Sequence, residues 1–137
     1  VQYAPDGEIE SEKGRAWEQE LVHILRKLWP GAKRGLGQAR SGGEVCDVDG
    51  TPFWVEAKVG AKTNLKAAVK QAEAATDGRP VIAVCKDNAK PGKSPDVWVT
   101  MRLETFERVV QTSEFCTALP ARSLVSQDAL LGHNTQE

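Results

Sequence analysis

A helical pattern rich in Ala and Lys, over residues 64–76, separates two strand patterns in the middle of this chain. The strand pattern before it, residues 53–59, alternates, so that Glu56 and Lys58 leave the same face. The strand pattern after it, residues 80–86, is continuously apolar, as is typical of a strand that is buried on both faces. The periods and lengths of these patterns indicate that the middle of the chain combines helices with a sheet.

Further patterns on both sides extend this alternation of helices and strands. An Asp49-Gly50 pair is typical of a hairpin turn and leads into the 53–59 strand. Ser11 and Asn64 are the expected N-caps of two helices. The remaining patterns predict helices over residues 11–29 and 103–110, a glycine-rich loop or edge strand over 33–44, and strands over 45–48 and 97–101. The order α-β-β-α-β-β-α predicts an α/β sandwich with a central mixed sheet of four or five strands, flanked by helices.

A length of 137 residues is typical of one domain. We expect that domain to span residues 11–116, after an acidic and flexible arm at residues 1–10. Residues 117–137 form a C-terminal extension with a weak Leu and Val pattern, which makes it a candidate dimer or partner contact. The apolar runs are too short to span a membrane and no signal-peptide pattern is present, so we expect a cytoplasmic protein.

Cysteine spacing and charge narrow the classes of function. The three cysteines lie far apart and form no CxxC pair, which argues against a zinc site or a disulfide framework. The net charge of −1 hides an asymmetry: residues 26–93 carry 13 Lys and Arg against 7 Asp and Glu, whereas the two ends together are acidic. This central positive balance favours a surface that faces a polyanion, and a mixed solvated surface is an equal alternative from charge alone.

The predicted hairpin brings three charged residues together. Asp47 lies at the end of the first strand, and the hairpin places it alongside Glu56 on the second strand. Lys58 projects from the same face of the second strand as Glu56. Two carboxylates can anchor Mg²⁺, which activates water and neutralises the charge of a phosphate, and an ammonium group can stabilise the transition state of phosphodiester hydrolysis. A buried Glu-Lys ion pair with a purely structural role is the alternative interpretation of Glu56 and Lys58.

Three motifs, in the order found here, resemble the PD-(D/E)xK nuclease superfamily. They are a Lys-Gly-x-x-x-Glu helix at residues 13–18, an Arg-Ser-x-Gly segment that leads from Arg40 to Asp47, and the Glu-x-Lys strand at residues 56–58. Within the superfamily, residues 11–86 most resemble archaeal-type Holliday junction resolvases and related small phage nucleases. The resemblance implies a restriction-endonuclease-like α/β sandwich and a Mg²⁺-dependent endodeoxyribonuclease, with Mn²⁺ expected to substitute.

The same resemblance assigns roles to individual residues. Asp47, Glu56 and the backbone carbonyl of Ala57 would be metal ligands, and Lys58 would be the catalytic lysine. Glu18 would reach the metal directly or through a bound water. The implied catalytic set is therefore Glu18, Asp47, Glu56, Lys58 and Gln71, with Arg40 holding a phosphate near the scissile bond.

Some of these residues also have interpretations without a catalytic role. Glu18 could be a helix acid, Arg40 a loop cation and Gln71 a solvent-facing residue. The core or its rim, rather than a base-stacking surface, is the expected place of three tryptophans, Trp17, Trp29 and Trp54.

Six cations flank the predicted site in sequence: Lys33, Arg34, Arg40, Lys62, Lys66 and Lys70. Contacts from such residues to phosphates would give salt-dependent binding to DNA without sequence readout. The resemblance adds a branched or junction substrate, a role in DNA recombination, and a homodimer, in a bacterial, archaeal or phage-infected cell. Two alternatives stay open: a duplex or nicking endonuclease with the same site, and a non-catalytic nucleic-acid-binding module with a nuclease-like fold.

Overall fold

The computed structural model of the protein describes residues 6–35, 44–60 and 63–117. Three helices and five strands lie in these ranges, in the order α1, Asp6–Leu25; β1, Lys33–Arg34; β2, Val48–Asp49; β3, Trp54–Val59; α2, Leu65–Ala75; β4, Val81–Lys86; β5, Val97–Thr100; and α3, Leu103–Gln111. The chain divides into two compact units, residues 1–101 and 102–137, so that α3 belongs to the second unit.

The five strands form one sheet and lie in chain order across it, from β1 to β5. The pairs β1–β2, β2–β3 and β4–β5 are antiparallel, whereas β3 and β4 are parallel over six residue pairs. Parallel neighbours need a crossover connection, and α2 supplies it. The prediction of an α/β protein with a mixed sheet of four or five strands is confirmed, and its edge next to β2 is the two-residue strand in the glycine-rich segment.

A helix covers each face of the sheet, because both faces of the central strands are apolar. On one face, α1 places Trp17, Leu21 and Val22 against Val55 of β3 and Ile82 of β4. On the other face, the small side chains of α2 pack against Trp54, Val81 and Ala83, and the buried residues that α2 contributes are Ala68, Val69 and Ala72. The sheet is therefore the middle layer of a sandwich, as the near-continuous apolar sequence of β4 predicts.

The predicted bounds of the first helix are wrong at both ends. The helix begins at Asp6, so Ser11 lies inside it and is not its N-cap, and residues 6–10 of the predicted arm are helical. Apolar periodicity starts only at Trp17, whereas the acidic residues before it favour a helix start through the macrodipole. The helix ends at Leu25 and is followed by turns over residues 26–28. Pro30 disfavours the helical conformation at the residue before it, Trp29, so the helix cannot run to residue 29 as predicted.

The other element predictions agree with the structure more closely. Asn64 caps α2, and its side chain accepts a hydrogen bond from the backbone N–H of Ala67 at 3.0 Å. The strand predicted over 45–48 is shorter and begins three residues later, at Val48–Asp49. The helix predicted over 103–110 is α3, which lies in the second compact unit. Residues 118–137 of the predicted extension lie outside the described residues.

In the part of the chain that the structure describes, no helix is both long enough and apolar enough to cross a membrane.

Candidate active site

The alternation of β3 places its two charged residues on the face that α2 covers. Val55 and Ala57 pack with α1, whereas Trp54 packs with α2, and Glu56 and Lys58 follow Trp54 at intervals of two. The side chains of Glu56 and Lys58 are 19% and 34% exposed, so both are partly shielded from water. The predicted division of β3 into two faces is thus confirmed.

Asp47 lies directly beside β3, where the antiparallel ladder ends. Its backbone N–H donates to the Val55 carbonyl at 3.0 Å, and its carboxylate Oδ2 accepts the Ala57 N–H at 2.8 Å. The side chain of Asp47 therefore takes the hydrogen bond that a further strand residue would have made. This bond holds one carboxylate oxygen against β3 and brings the group next to Glu56.

A close backbone approach fixes the segment before Asp47. The Gly35 N–H donates to the Asp47 carbonyl at 2.9 Å. A Cβ atom at Gly35 would lie 1.8 Å from the carbonyl oxygen of Cys46, so only glycine fits there. Cys46 itself is buried under α2 with Trp54. Asp47 is thus held on one side by Gly35, next to β1, and on the other side by Val55 and Ala57 of β3.

Glu56 has the most perturbed carboxyl group of the site. The Trp54 indole Nε1 donates to Glu56 Oε1 at 3.2 Å, and Lys58 Nζ lies 4.0 Å from Oε2. Burial first, and then the adjacent charge of Asp47 and a hydrogen bond with that residue, together raise the pKa of Glu56 to about 7 against the opposing effects of Trp54 and Lys58. Two carboxyl groups that share one site resist being ionised together.

Such a pair suits a divalent cation. Asp47 and Glu56 offer only oxygen donors, which Mg²⁺ prefers, and a cation between them would relieve the repulsion that adds to burial in raising the Glu56 pKa. Within residues 6–35, 44–60 and 63–117, however, no group of three or more His, Cys, Asp or Glu side chains is placed to hold a metal ion. The residues present fit a cation held by two carboxylates, with the remaining positions taken by water or backbone oxygen.

Glu18 lies in a cleft with Asp47 but has its own partner. The Arg34 guanidinium donates to Glu18 Oε2 from Nη2 at 2.9 Å and from Nε at 3.2 Å. The cleft is lined by Gly14, Arg15, Glu18, Arg34, Gly35, Val45, Cys46 and Asp47. The structure thus brings Glu18 and Asp47 to one cleft, and it adds Arg15, a helix cation that carried no sequence signal of this position.

The other predicted residues lie at varying places around this site. Gln71 is exposed on α2 and lines a different surface cleft with Glu44. Lys33 on β1 is exposed, as are Lys66 and Lys70 on α2. Arg40 and Lys62 lie outside the described residues. Of the predicted catalytic set, Asp47, Glu56 and Lys58 therefore lie together. Glu18 lines the same cleft as Asp47, whereas Gln71 lines a different cleft.

Arg79 stabilises the connection between β2 and β3, a role that the sequence did not indicate. Its Nη1 donates to Asp49 Oδ1 at 2.8 Å, and its Nε donates to Asp77 Oδ1 at 2.9 Å. The guanidinium also lies 5.6 Å from the centre of the Trp54 ring. The N–H of Gly50, and then Arg79, hold the pKa of Asp49 below its ordinary value. Asp49 is thus the last residue of β2, directly before the turn, and not a turn residue as predicted; Arg79 stabilises the turn that returns Asp47 to Glu56.

Comparison of the chain with known proteins finds no matching family model, no similar curated protein and no similar solved structure.

Proposed function

We propose that this protein is a metal-dependent endonuclease that hydrolyses DNA phosphodiester bonds, with a restriction-endonuclease-like form of the α/β sandwich. The observation that carries the proposal is the contact between the carboxyl groups of Asp47 and Glu56, with Lys58 4.0 Å from Glu56 on the same face. Two carboxylates and an ammonium group in one partly buried location match the needs of phosphodiester hydrolysis. The sequence motifs around these residues support the same class.

Each residue of the proposed site has a distinct task. Asp47 and Glu56 would hold Mg²⁺, with the Ala57 carbonyl as a further oxygen donor. Mn²⁺ could replace Mg²⁺ at this position. The cation supplies charge neutralisation at the phosphate and a water of lowered pKa. Lys58 places a positive charge beside the reacting phosphate, where negative charge develops in the transition state. Since Lys58 is partly shielded from solvent, its charge acts more strongly there than on an open surface.

Residues around the cleft provide the contacts to the DNA backbone. Arg34 holds Glu18 and, together with Arg15, lines the same cleft as Asp47, so a phosphate in the cleft would meet guanidinium groups there. Lys33, Lys66 and Lys70 add exposed cations on β1 and α2. The proposed preference for branched DNA, and a homodimer that cuts two strands, rest on the sequence resemblance, with ordinary duplex cleavage as the alternative substrate.

A second candidate function has an observation of its own. Lys58 pairs with Glu56, and Arg34 pairs with Glu18, so each acidic residue of the site, apart from Asp47, has a cationic partner within the protein. A non-catalytic nucleic-acid-binding module would need no more than this arrangement. The two candidates differ in whether the carboxyl pair binds a cation.

Cleavage of a labelled four-way junction and of a matched linear duplex, with Mg²⁺ and with EDTA, tests the proposal. The variant is Glu56→Gln, which keeps an acceptor for the Trp54 indole, and the control is Glu107→Ala, which removes an exposed glutamate of α3. We expect paired cuts in the junction by the wild type and the control, and none in EDTA or with Glu56→Gln. Equal cutting of both substrates would establish the duplex alternative, and binding without cutting under Mg²⁺ and Mn²⁺ would establish the binding module.

A further inference from the structure

Trp98 is the one tryptophan of the four in this chain that stands exposed. Trp17 and Trp54 are 2% and 3% exposed and belong to the two core layers, and Trp29 is half-buried against Phe53, with ring centres 5.8 Å apart. The Trp98 side chain is 56% exposed. The expectation that Trp17, Trp29 and Trp54 pack in the core or at its rim is therefore confirmed, and Trp98 alone is free to contact a ligand.

The register of the sheet places Trp98 on the same face as the proposed catalytic lysine. Lys58 on β3 pairs with Cys85 on β4, and Cys85 pairs with Trp98 on β5. Paired residues on neighbouring strands project from the same face. Lys58, Cys85 and Trp98 thus form one row across the sheet, and with neighbouring strands about 4.8 Å apart the backbones at its two ends are roughly 10 Å apart.

The ring is oriented by one polar contact. The Trp98 indole Nε1 donates to Asp87 Oδ2 at 3.1 Å, so one edge of the ring is fixed to the first residue after β4. Asp96 and Thr100, two positions before and after Trp98, lie on the same face of the sheet; one is acidic and the other is polar. Val97 and Val99 project from the opposite face. Along β5 the exposed apolar surface on this face is therefore a single ring between an acidic and a polar residue, and its cross-strand neighbour Cys85 is buried, which suits a flat ligand.

The turn that joins β4 to β5 carries two lysines, between Asp87 and Asp96. Lys90 and Lys93 face each other in an isolated bridge, in which the Lys93 N–H donates to the Lys90 carbonyl at 3.1 Å. Both lysine side chains are exposed. Gly92 between them has a φ of 72°, a conformation that glycine adopts without strain. The hairpin therefore presents two cations at its tip and an aromatic ring at its base.

We propose that the β4–β5 hairpin binds an unpaired strand of the nucleic-acid substrate, with one base stacked on Trp98 and the adjoining phosphates near Lys90 and Lys93. Stacking platforms flanked by cations are the general means by which proteins bind single-stranded nucleic acid. The stacked base would lie on the sheet face from which Lys58 projects, two strands away from it. This inference rests on the proposed nuclease function and makes the unpaired segment of a branched substrate the feature that is recognised.

Binding of a fluorescein-labelled single-stranded oligonucleotide and of the matched duplex, in EDTA, tests this proposal apart from catalysis. Trp98→Ala should weaken single-strand binding by about 5-fold to 150-fold, since stacking contributes about 1–3 kcal/mol per base. Trp98→Phe should restore most of the affinity but lose the quenching of tryptophan fluorescence that unlabelled oligonucleotide causes in the wild type. Duplex affinity should change much less with either variant.

The control is Val99→Ala, because Val99 is also 56% exposed on the same strand but projects from the opposite face. It should bind the single strand as the wild type does. Equal weakening by Val99→Ala and Trp98→Ala, equal losses on single strand and duplex, or a change of molecular mass in solution with Trp98→Ala would each overturn the proposal.

The two proposals fail in different ways. Cleavage of junction DNA without quenching by any oligonucleotide would overturn the role of Trp98 and leave the nuclease intact. Quenching and Trp98-dependent binding without cleavage would support the hairpin and overturn the nuclease function.

Discussion

The carboxylate of Asp47 accepts a hydrogen bond from the backbone N–H of Ala57 at 2.8 Å, in the place of a backbone hydrogen bond between neighbouring strands. One residue thus has a structural and a proposed catalytic task, and the two can be separated by substitution. Asp47→Asn keeps an oxygen that can accept this bond but lacks the charge that a cation needs. Asp47→Ala removes both.

We expect Asp47→Asn to abolish Mg²⁺-dependent cleavage while it lowers the free energy of unfolding by less than about 1 kcal/mol. Asp47→Ala should abolish cleavage and also destabilise the protein by about 1–3 kcal/mol, because it leaves the Ala57 N–H without its acceptor. Urea unfolding followed by circular dichroism, together with the cleavage assay, checks both effects. Full activity in a folded Asp47→Asn variant would contradict the metal-ligand role.

The raised pKa of Glu56 makes stability depend on pH. Its pKa is about 7 in the folded protein, against an ordinary value of 4.5. The folded state therefore holds this proton more tightly than the unfolded state, and the associated stability is complete below about pH 4.5 and is lost as the pH rises to about 7. Since one pKa unit corresponds to about 1.4 kcal/mol, the loss is at most about 3 kcal/mol.

Urea unfolding in EDTA at pH 5 and pH 7.5 measures this loss. In Glu56→Gln the contribution should vanish, so that the variant gains stability relative to the wild type as the pH rises. The difference between the two proteins isolates Glu56 from other carboxyl groups, such as Asp49, whose lowered pKa acts in the opposite sense. Parallel pH profiles for wild type and Glu56→Gln would show that Glu56 is not the group responsible.

Gly35 is expected to tolerate no side chain. A Cβ atom there would collide with the Cys46 carbonyl oxygen, which belongs to the backbone and can move only with Asp47. We predict that Gly35→Ala destabilises the protein by about 1–3 kcal/mol, as overpacking does, and lowers cleavage beyond the loss of folded protein. Gly31→Ala is the matched control, since no atom lies within 4 Å of a Cβ built there. Thermal unfolding that is equal for the two variants would refute the steric explanation.

The ion pair between Arg34 and Glu18 should affect DNA binding more than folding. Their side chains are 38% and 23% exposed, and pairs of this kind contribute about 0–1 kcal/mol to stability. Arg34→Ala should weaken DNA binding and reduce the salt slope of the affinity by about 1, the value for one lost phosphate contact. Glu18→Gln, which frees Arg34, should keep that slope. A salt titration of duplex binding by wild type and both variants gives the comparison, and an unchanged slope in Arg34→Ala would exclude a phosphate contact.

Helices and strands could be predicted where the spacing of apolar residues and the residue types of the turns indicate the same structure. The alternation of β3 fixed the common face of Glu56 and Lys58, and the Asp49-Gly50 turn predicted that Asp47 returns beside them, because both depend on neighbours in sequence. The start of α1 was missed, since residues 6–10 carry acidic charge without apolar periodicity. Local patterns cannot place contacts between distant segments, so the pairing of Glu18 with Arg34, the bracing by Arg79 and the exposure of Trp98 all became visible only in the structure.

The proposed site draws on strands of very different local stability. Glu56 and Lys58 belong to β3, which is paired for six residues with β4 and covered on both faces, whereas Asp47 is held next to a strand of two residues. Hydrogen exchange should therefore find the amide of Ala57, which Asp47 protects, opening more readily than the β3 amides that face β4. Each such local opening removes one of the two carboxylates while the sandwich stays folded. The fraction of molecules with a complete site is consequently set by the attachment of β2, and ligands that bridge Asp47 and Glu56 would slow this exchange without raising the stability of the remaining sheet.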